Sequence, residues 1–391
     1  MGSSSYSASL FKDIAVLSPH YLPEQLPFRE GYITEIDRLL APAQENKKPR
    51  NLFIYGKTGT GKTSVAKKIL EHWERDAIYV QYINCRIYNS RYRILQKLLK
   101  KFVPELEKTG FGLPFLYEKL MEILQENKQM IVVLDEIDMI KDLDELVYTL
   151  TRVNDEVTKG GVTLMGISNK LSFKDALDPR SKSSLYETEL VFPPYTSEQL
   201  QKILSQRAEE GFAEDTIETS AINLVAAITA QESGDARYAL KLLVKAGEIA
   251  EQQGKKKITD AEVETARSRV ELDLVEETIA TLPENHQIVL YAIAQRTAQG
   301  SRYARLEGLE NNMLLSGEVY EAYERICSQL KKRPRSIRWY HEYLHDLEML
   351  GLVITTPSGK GLRGHTTLIR LGYEDAKGIG QMIGKQLGLE G

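Results

Sequence analysis

Cysteine is scarce: the 391 residues hold two, Cys85 and Cys327, far apart and at no metal-ligand spacing. That excludes a disulfide framework and a cysteine metal site, and predicts buried thiols in a reducing cytoplasm. No apolar run is long enough to cross a bilayer, so a helical membrane span is excluded. Positive charge is not in excess either. Lys and Arg total 51 against 55 Asp and Glu, a net charge of −4, so any nucleic-acid surface must be a local patch. Residues 1–10 lack both a basic and an apolar segment, so no secretory signal is expected. Tyr6 stands where a myristoylation signal needs Ser or Thr. No internal repeat or low-complexity tract is present. At roughly 150 residues per domain, the length allows two or three domains.

What is present centres on Gly56-Lys57-Thr58-Gly59-Thr60-Gly61-Lys62-Thr63. The octet follows the apolar run Leu52-Phe53-Ile54-Tyr55 and opens a helix at Ser64, the strand, glycine loop and helix of a P-loop. Glycines let the backbone wrap phosphates where a Cβ would collide. Loop amides and the helix N-terminus supply fixed positive potential. Lys62 is then expected on the β- and γ-phosphates and the Thr63 hydroxyl on Mg²⁺, with Ser64 beside them. The expected ligand is a nucleoside triphosphate.

Strands are expected at 78–83, 131–134, 162–167 and 189–192, with helices over 32–40, 86–102 and 116–126. Strands alternating with helices predict an α/β parallel sheet over residues 1–196. Strand signals then vanish, and 197–280 reads as an all-helical domain, followed by a third unit over 281–391. The apolar strand at 131–134 ends in Asp135-Glu136. An acid there holds a Mg²⁺ water shell while its neighbour takes a proton from water, so Asp135 is assigned to the metal and Glu136 to the base. Asp138 reads as a surface or helix-capping residue. The next strand ends in Ser168-Asn169, which places Asn169 beside the γ-phosphate, because ligands sit at the carboxyl ends of parallel strands.

Together these features resemble AAA+ ATPases, with a P-loop, Asp135-Glu136, Asn169 and a helical lid. The resemblance implies that Arg237, in Gly234-Asp235-Ala236-Arg237, is a second sensor reaching the γ-phosphate. It also implies an arginine finger near 179–184 that completes a neighbour's site, Arg180 or its rival Lys182. Leu22-Pro23-Glu24, Leu26-Pro27-Phe28-Arg29-Glu30, Leu134-Asp135-Glu136-Ile137-Asp138 and Phe192-Pro193-Pro194-Tyr195-Thr196 narrow it further. These blocks resemble archaeal replication initiators, single-chain relatives of origin recognition complex subunit one and cell division control protein six. Leu26, Phe28, Arg29 and Tyr195 are thereby implied to lie near the adenine, although Phe28 stands where these proteins are expected to carry histidine.

Two acid-poor stretches concentrate positive charge. Residues 86–101 contain Arg91, Arg93 and Lys97 and no acid, where the initiators carry an inserted helix that contacts DNA. In the second, Arg335, Ser336, Arg338 and Trp339 open a helix to about residue 350, with Ile337, Tyr340, Leu344 and Leu347 as its buried stripe. Two strands follow, joined by a glycine-rich tip bearing Lys360 and Arg363. A helix followed by such a hairpin is the pattern of a winged helix, which can read a major groove and touch phosphates with its wing. The expected protein is thus an α/β AAA+ P-loop domain, an all-helical lid and a C-terminal winged helix. Its expected ligands are ATP or ADP and Mg²⁺. Its expected partners are double-stranded origin DNA, the replicative helicase, and paralogues or further copies on DNA, with slow hydrolysis as a switch, no membrane, and a cytoplasmic, nucleoid-associated location. A branch-migration type motor and a nucleotide-switched DNA-binding regulator remain as alternatives.

Overall fold

The computed structural model describes residues 9–75, 77–107, 110–126, 128–170, 173–174, 177–185, 187–300, 313–357, 367–373 and 375–389. The chain divides into two compact units, Met1–Arg267 and Ser268–Gly391. In the first, strands β1 (Asn51–Tyr55), β2 (Ile78–Asn84), β3 (Gln129–Asp135), β4 (Gly161–Ser168) and β5 (Glu187–Val191) form a parallel sheet in the order β2-β3-β4-β1-β5. Strands β3 and β4 are buried at every position, as strands covered on both faces must be.

Alternate residues leave a strand on opposite sides. Leu52, Ile54, Ile131 and Val133 therefore pack with helices α1 (Glu30–Leu40) and α2 (Lys62–Trp73). Phe53, Tyr55, Val132 and Leu134 pack on the other face with α3 (Arg91–Leu99), α4 (Leu113–Gln125) and α5 (Leu143–Glu156). Truncating one of these core leucines or isoleucines to alanine costs about 2–5 kcal/mol. Tyr55 pairs with Ser168 and Asp135 with Ile167, so the carboxyl ends of β1, β3 and β4 lie side by side. Between β4 and β5 runs the short α6 (Pro179–Leu185).

Four helices follow: α7 (Ser197–Gly211), α8 (Thr219–Glu232), α9 (Ala236–Gln252) and α10 (Asp260–Thr281), the last running from the first unit into the second. Helix α7 starts at a capping box, Thr196 Oγ1 accepting from the Gln199 N–H while the Thr196 N–H donates to Gln199 Oε1. Gly234 precedes α9 at φ +66°, against Pro194 and the Tyr195 backbone, where no side chain would fit.

The second unit holds α11 (Glu284–Gln299), β6 (Leu314–Leu315), α12 (Ser316–Gln329), α13 (Ile337–Met349), β7 (Val353–Pro357), β8 (Thr367–Leu371) and α14 (Ala376–Leu387). Its sheet is antiparallel in the order β6-β8-β7, over a core of Ile293, Tyr323, Tyr340, Leu344, Leu347 and Ile369. Helix α13 stops at Gly351, φ +71°, where the Gly351 and Leu352 N–H groups donate back to Glu348 O and Leu347 O.

Two expectations about these elements are corrected. The basic helix begins at Arg91, not at 86, because the Arg86 N–H donates to the Asn84 side chain and the chain turns through 85–88 first. Ile337 is 57% exposed and Tyr343 joins the stripe instead, since the core of α13 begins only at Tyr340. The two-residue β6 and helix α14 carried no recognised sequence signal. Both cysteines are buried free thiols, and among the described residues no helix is long and apolar enough to cross a membrane.

Candidate functional site

The glycine loop closes over the end of β1. Gly59 and Gly61 adopt φ +66° and +87°, left-handed values that a side chain disfavours, and Gly61 leads directly into Lys62 at the start of α2. Lys62 is buried, and its Nζ donates to the carbonyls of Gly56 and Lys57, 2.7 Å each. Burial, with a smaller push from the Arg237 charge, lowers its pKa to about 8 against the pull of Asp135 and Asp235. The Thr63 hydroxyl donates to Asp135 Oδ2 at 2.8 Å. Tyr82, on β2, donates to the same oxygen at 2.6 Å, and burial and that bond both raise its pKa. Asp135 Oδ1 accepts from the Glu136 N–H at 3.0 Å. A hydroxyl and a carboxylate already in contact are the hard oxygen pair that Mg²⁺ uses with phosphates, so these residues fit that ion.

Glu136 follows the strand at φ +55°, a left-handed conformation that is strained for a side-chain residue and concentrates at functional sites. Its carboxylate is held by Arg86 Nε at 2.9 Å. Asn169 is exposed just beyond β4. Asp138 is not a solvated surface group: its side chain is 9% exposed and accepts from the Ser168 hydroxyl at 2.9 Å.

The lid helix α9 docks on the loop itself. A Cβ on Gly59 would overlap the carboxylate of Asp235, and the Ala236 N–H donates to Gly59 O at 3.2 Å. Asp235 caps α9 by accepting from the Arg237 N–H at 2.7 Å. Arg237, Leu26, Tyr195, Thr63 and Ser64 line one cleft with Tyr21, Ile203 and Arg207. Phe28 and Arg29 do not line it. Phe28 is exposed at φ +63°. Arg29 is buried, and its guanidinium donates to Thr60 O, Phe28 O and Pro193 O at 3.0–3.1 Å, 4.0 Å from the Tyr195 ring centroid. It braces the phosphate loop. Arg180 and Lys182 are exposed on α6.

Of the basic residues in the first unit, Arg91 turns inward to Glu145 at 2.9 Å, while Arg93 is exposed and Lys97 half-buried over the Tyr88 ring. In the second unit Arg335, Ser336, Arg338 and Trp339 are exposed at the start of α13. Ser336 occupies the N-cap position without a side-chain cap bond. Lys360 and Arg363 lie outside the described residues.

Residues 45–172 match an AAA domain, 201–268 the Cdc6 AAA+ ATPase-type lid domain, and 277–377 the CDC6 C terminal winged helix domain. ORC1-type DNA replication proteins of Thermococcus kodakarensis and Pyrococcus abyssi are 39% and 40% identical to this chain. The alignments cover 94% and 93% of this chain, and 89% and 87% of those proteins. The chain belongs to the ORC1-type DNA replication protein family. The Aeropyrum pernix ORC1 protein, solved in complex with DNA, is 35% identical and superposes with a TM-score of 0.78, covering 97% of this chain and 98% of that one. Cdc6p of Pyrobaculum aerophilum is 25% identical with a TM-score of 0.60, covering 97% and 99%. The AAA+ sheet, helical lid and winged helix expected from the sequence are this family's architecture.

Sequence reasoning missed several residues that this ORC1-type chain brings to its cleft or to the acids at the end of β3. Tyr82 was hidden because a tyrosine inside a strand reads as packing. Arg86 was read as part of the basic helix, and its partner Glu136 is fifty positions away. Arg207, buried on α7, donates to Ser18 O at 2.8 Å and lies 4.7 Å from the Tyr21 ring centroid, joining the lid to the N-terminal segment. Burial lowers its pKa.

Proposed function

We propose that this protein is an ATP-regulated initiator that binds duplex DNA at replication origins and helps recruit the replicative helicase. The observation that carries the reading is a cleft between the phosphate loop and the lid, with Asp235 seated on that loop, in a chain that also exposes cations on α3 and α13. The DNA in the complex of the similar Aeropyrum protein supports the second half.

The proposed chemistry assigns one role to each residue. Gly56, Lys57, Thr58, Gly59, Thr60 and Gly61 wrap the phosphates, and Lys62 leaves its two carbonyl partners for the β- and γ-phosphates. Thr63 and Asp135 hold Mg²⁺, which when bound neutralises phosphate charge. Glu136 accepts a proton from the attacking water and Asn169 orients that water. Arg237 reads the γ-phosphate within its own chain, and Arg180, or Lys182, completes the site of a neighbouring copy. Leu26 and Tyr195, which line the cleft, face the adenine. The Arg86–Glu136 pair supports slow turnover, because a base held by a guanidinium is less available to water. Such a rate suits a switch better than a motor. Arg93, Lys97, Lys360 and Arg363 contact phosphates, while Arg335, Ser336, Arg338 and Trp339 approach base edges.

The test is a footprint on the source chromosome with ATP, with ADP and without nucleotide. A discrete protected site that changes with nucleotide is expected. Uniform, sequence-independent protection with rapid ATP turnover would refute the reading.

A further inference from the structure

Asp138 stands two residues beyond Glu136, with its carboxylate turned inward rather than toward water. Its Oδ1 accepts from the Ser168 hydroxyl at 2.9 Å. Ser168 Oγ in turn accepts from the Lys170 backbone N–H at 3.0 Å, which closes a turn with Asn169 at its middle. Lys170 Nζ lies 3.5 Å from Asp138 Oδ2. One carboxylate therefore touches both residues that flank Asn169. Between Glu136 and Asp138, Ile137 is fully buried, and its Cδ1 would lie 3.1 Å from a Cβ on Gly166 of β4. Ile137 thus packs the acidic segment against β4.

We propose that Asp138 is a positioning residue that fixes Asn169 relative to Glu136. The proposal rests on the reading of Asn169 as the water-orienting side chain. A surface turn needs only the Ser168–Lys170 bond to close, so the nearly buried carboxylate is an addition to it. A hydrogen bond to an ionised acceptor is shorter and stronger than a neutral one, which suits a brace. The need is physical: Asn169 is exposed, and a misplacement of about 1 Å can reduce a rate a hundredfold. Asp138 touches neither water nor phosphate in this scheme. It acts through the turn.

The experiment is a double-mutant cycle on the full chain, with single-turnover ATP hydrolysis and separate measurement of ATP affinity. Asp138→Ala should lower the rate about tenfold while affinity stays within about twofold. Asp138→Asn, whose amide oxygen can still accept from Ser168, should recover most of the rate. In an Asn169→Ala background, Asp138→Ala should cause no further loss. Additive losses would overturn the proposal, since a brace that acts through Asn169 has nothing left to position. An Asn169→Ala rate equal to wild type would overturn the sensor reading itself, and the proposal with it. If Asp138→Ala does not fold, Asp138→Leu, of similar branched shape but unable to accept from Ser168, takes its place, leaves the Ser168–Lys170 bond intact, and the cycle is read in the same way.

Discussion

Lys62 gives the site a measurable pH signature. Free, its ammonium is buried against two carbonyls and carries a pKa of about 8 rather than 10.5. A triphosphate favours the ammonium, so in the complex the pKa returns toward about 10.4. The complex then holds a proton that the free protein has partly lost above about pH 8. Binding must take up protons, and affinity must fall as pH rises. At about pH 9 only roughly a tenth of the free protein keeps the charge, so binding should be about tenfold, or ~1.4 kcal/mol, weaker than at about pH 7. Phosphate's own ionisation near about pH 6 is essentially complete by about pH 8, so the uptake at about pH 8 and 9 reports Lys62 alone.

Calorimetry with ATP in two buffers of different ionisation enthalpy reads the effect directly. Uptake of about 0.1, 0.5 and 0.9 protons is expected at about pH 7, 8 and 9. Lys62→Arg cannot deprotonate and should show none. The same depressed pKa bears on folding. Between about 8 and 10.5 the unfolded chain binds more protons, so this group's contribution to stability rises with pH across that window. Wild-type binding without proton uptake at about pH 8–9, or equal uptake by Lys62→Arg, would refute the argument.

Glu136→Gln should still bind ATP but leave it intact, as single-turnover assays with radiolabelled ATP would reveal; hydrolysis at the wild-type rate would remove Glu136 as the base. Arg86→Ala should speed hydrolysis, by less than about fivefold, because an ion pair whose arginine is 71% exposed is worth at most about 1 kcal/mol. A slower Arg86→Ala protein would mean that the pair assists the base. On DNA, Arg338→Ala should lose about 1–3 kcal/mol of discrimination at one base position, seen by comparing site variants. Arg93→Ala should instead weaken all sequences alike and reduce the salt slope by about 1, while Arg91→Ala, paired with Glu145, should leave that slope unchanged.

The sheet was legible because burial on both faces leaves predominantly apolar runs: 131–134 is wholly apolar, and 162–167 is broken only by Thr163 and Gly166. The phosphate loop was legible because its chemistry is local: glycines, a lysine and a hydroxyl within eight residues of one strand. Element edges were less so. Nothing in the periodicity separates Arg86 from the helix that follows, since only the Asn84 side chain diverts the backbone there. The two residues of β6 are too few to show a period, and Ile337 shares the spacing of its stripe without reaching the core.

What stayed hidden in the cleft has one physical character. Tyr82 with Asp135, Arg86 with Glu136, Ser168 with Asp138 and Arg207 with Ser18 are all contacts between side chains, or a side chain and a carbonyl, thirty or more positions apart. Periodicity reports which face a residue occupies, not which distant partner it meets. Arg29 shows the consequence. A charged residue in a short motif near a nucleotide site invites a ligand contact, yet a guanidinium has five donors in a rigid fork and no acceptor. Three of those donors meet carbonyls from the phosphate loop, its own turn and the segment leading to the lid. Buried and outside the cleft lining, an arginine so engaged is placed to transmit a shift of the lid segment to Thr60. Arg29→Lys, with one charged centre in place of the fork, keeps the charge and loses the geometry. It should therefore lower the thermal midpoint of the nucleotide-free protein as an alanine does, whereas a ligand contact would leave that midpoint unchanged, and this is the measurement that separates a brace from a ligand contact.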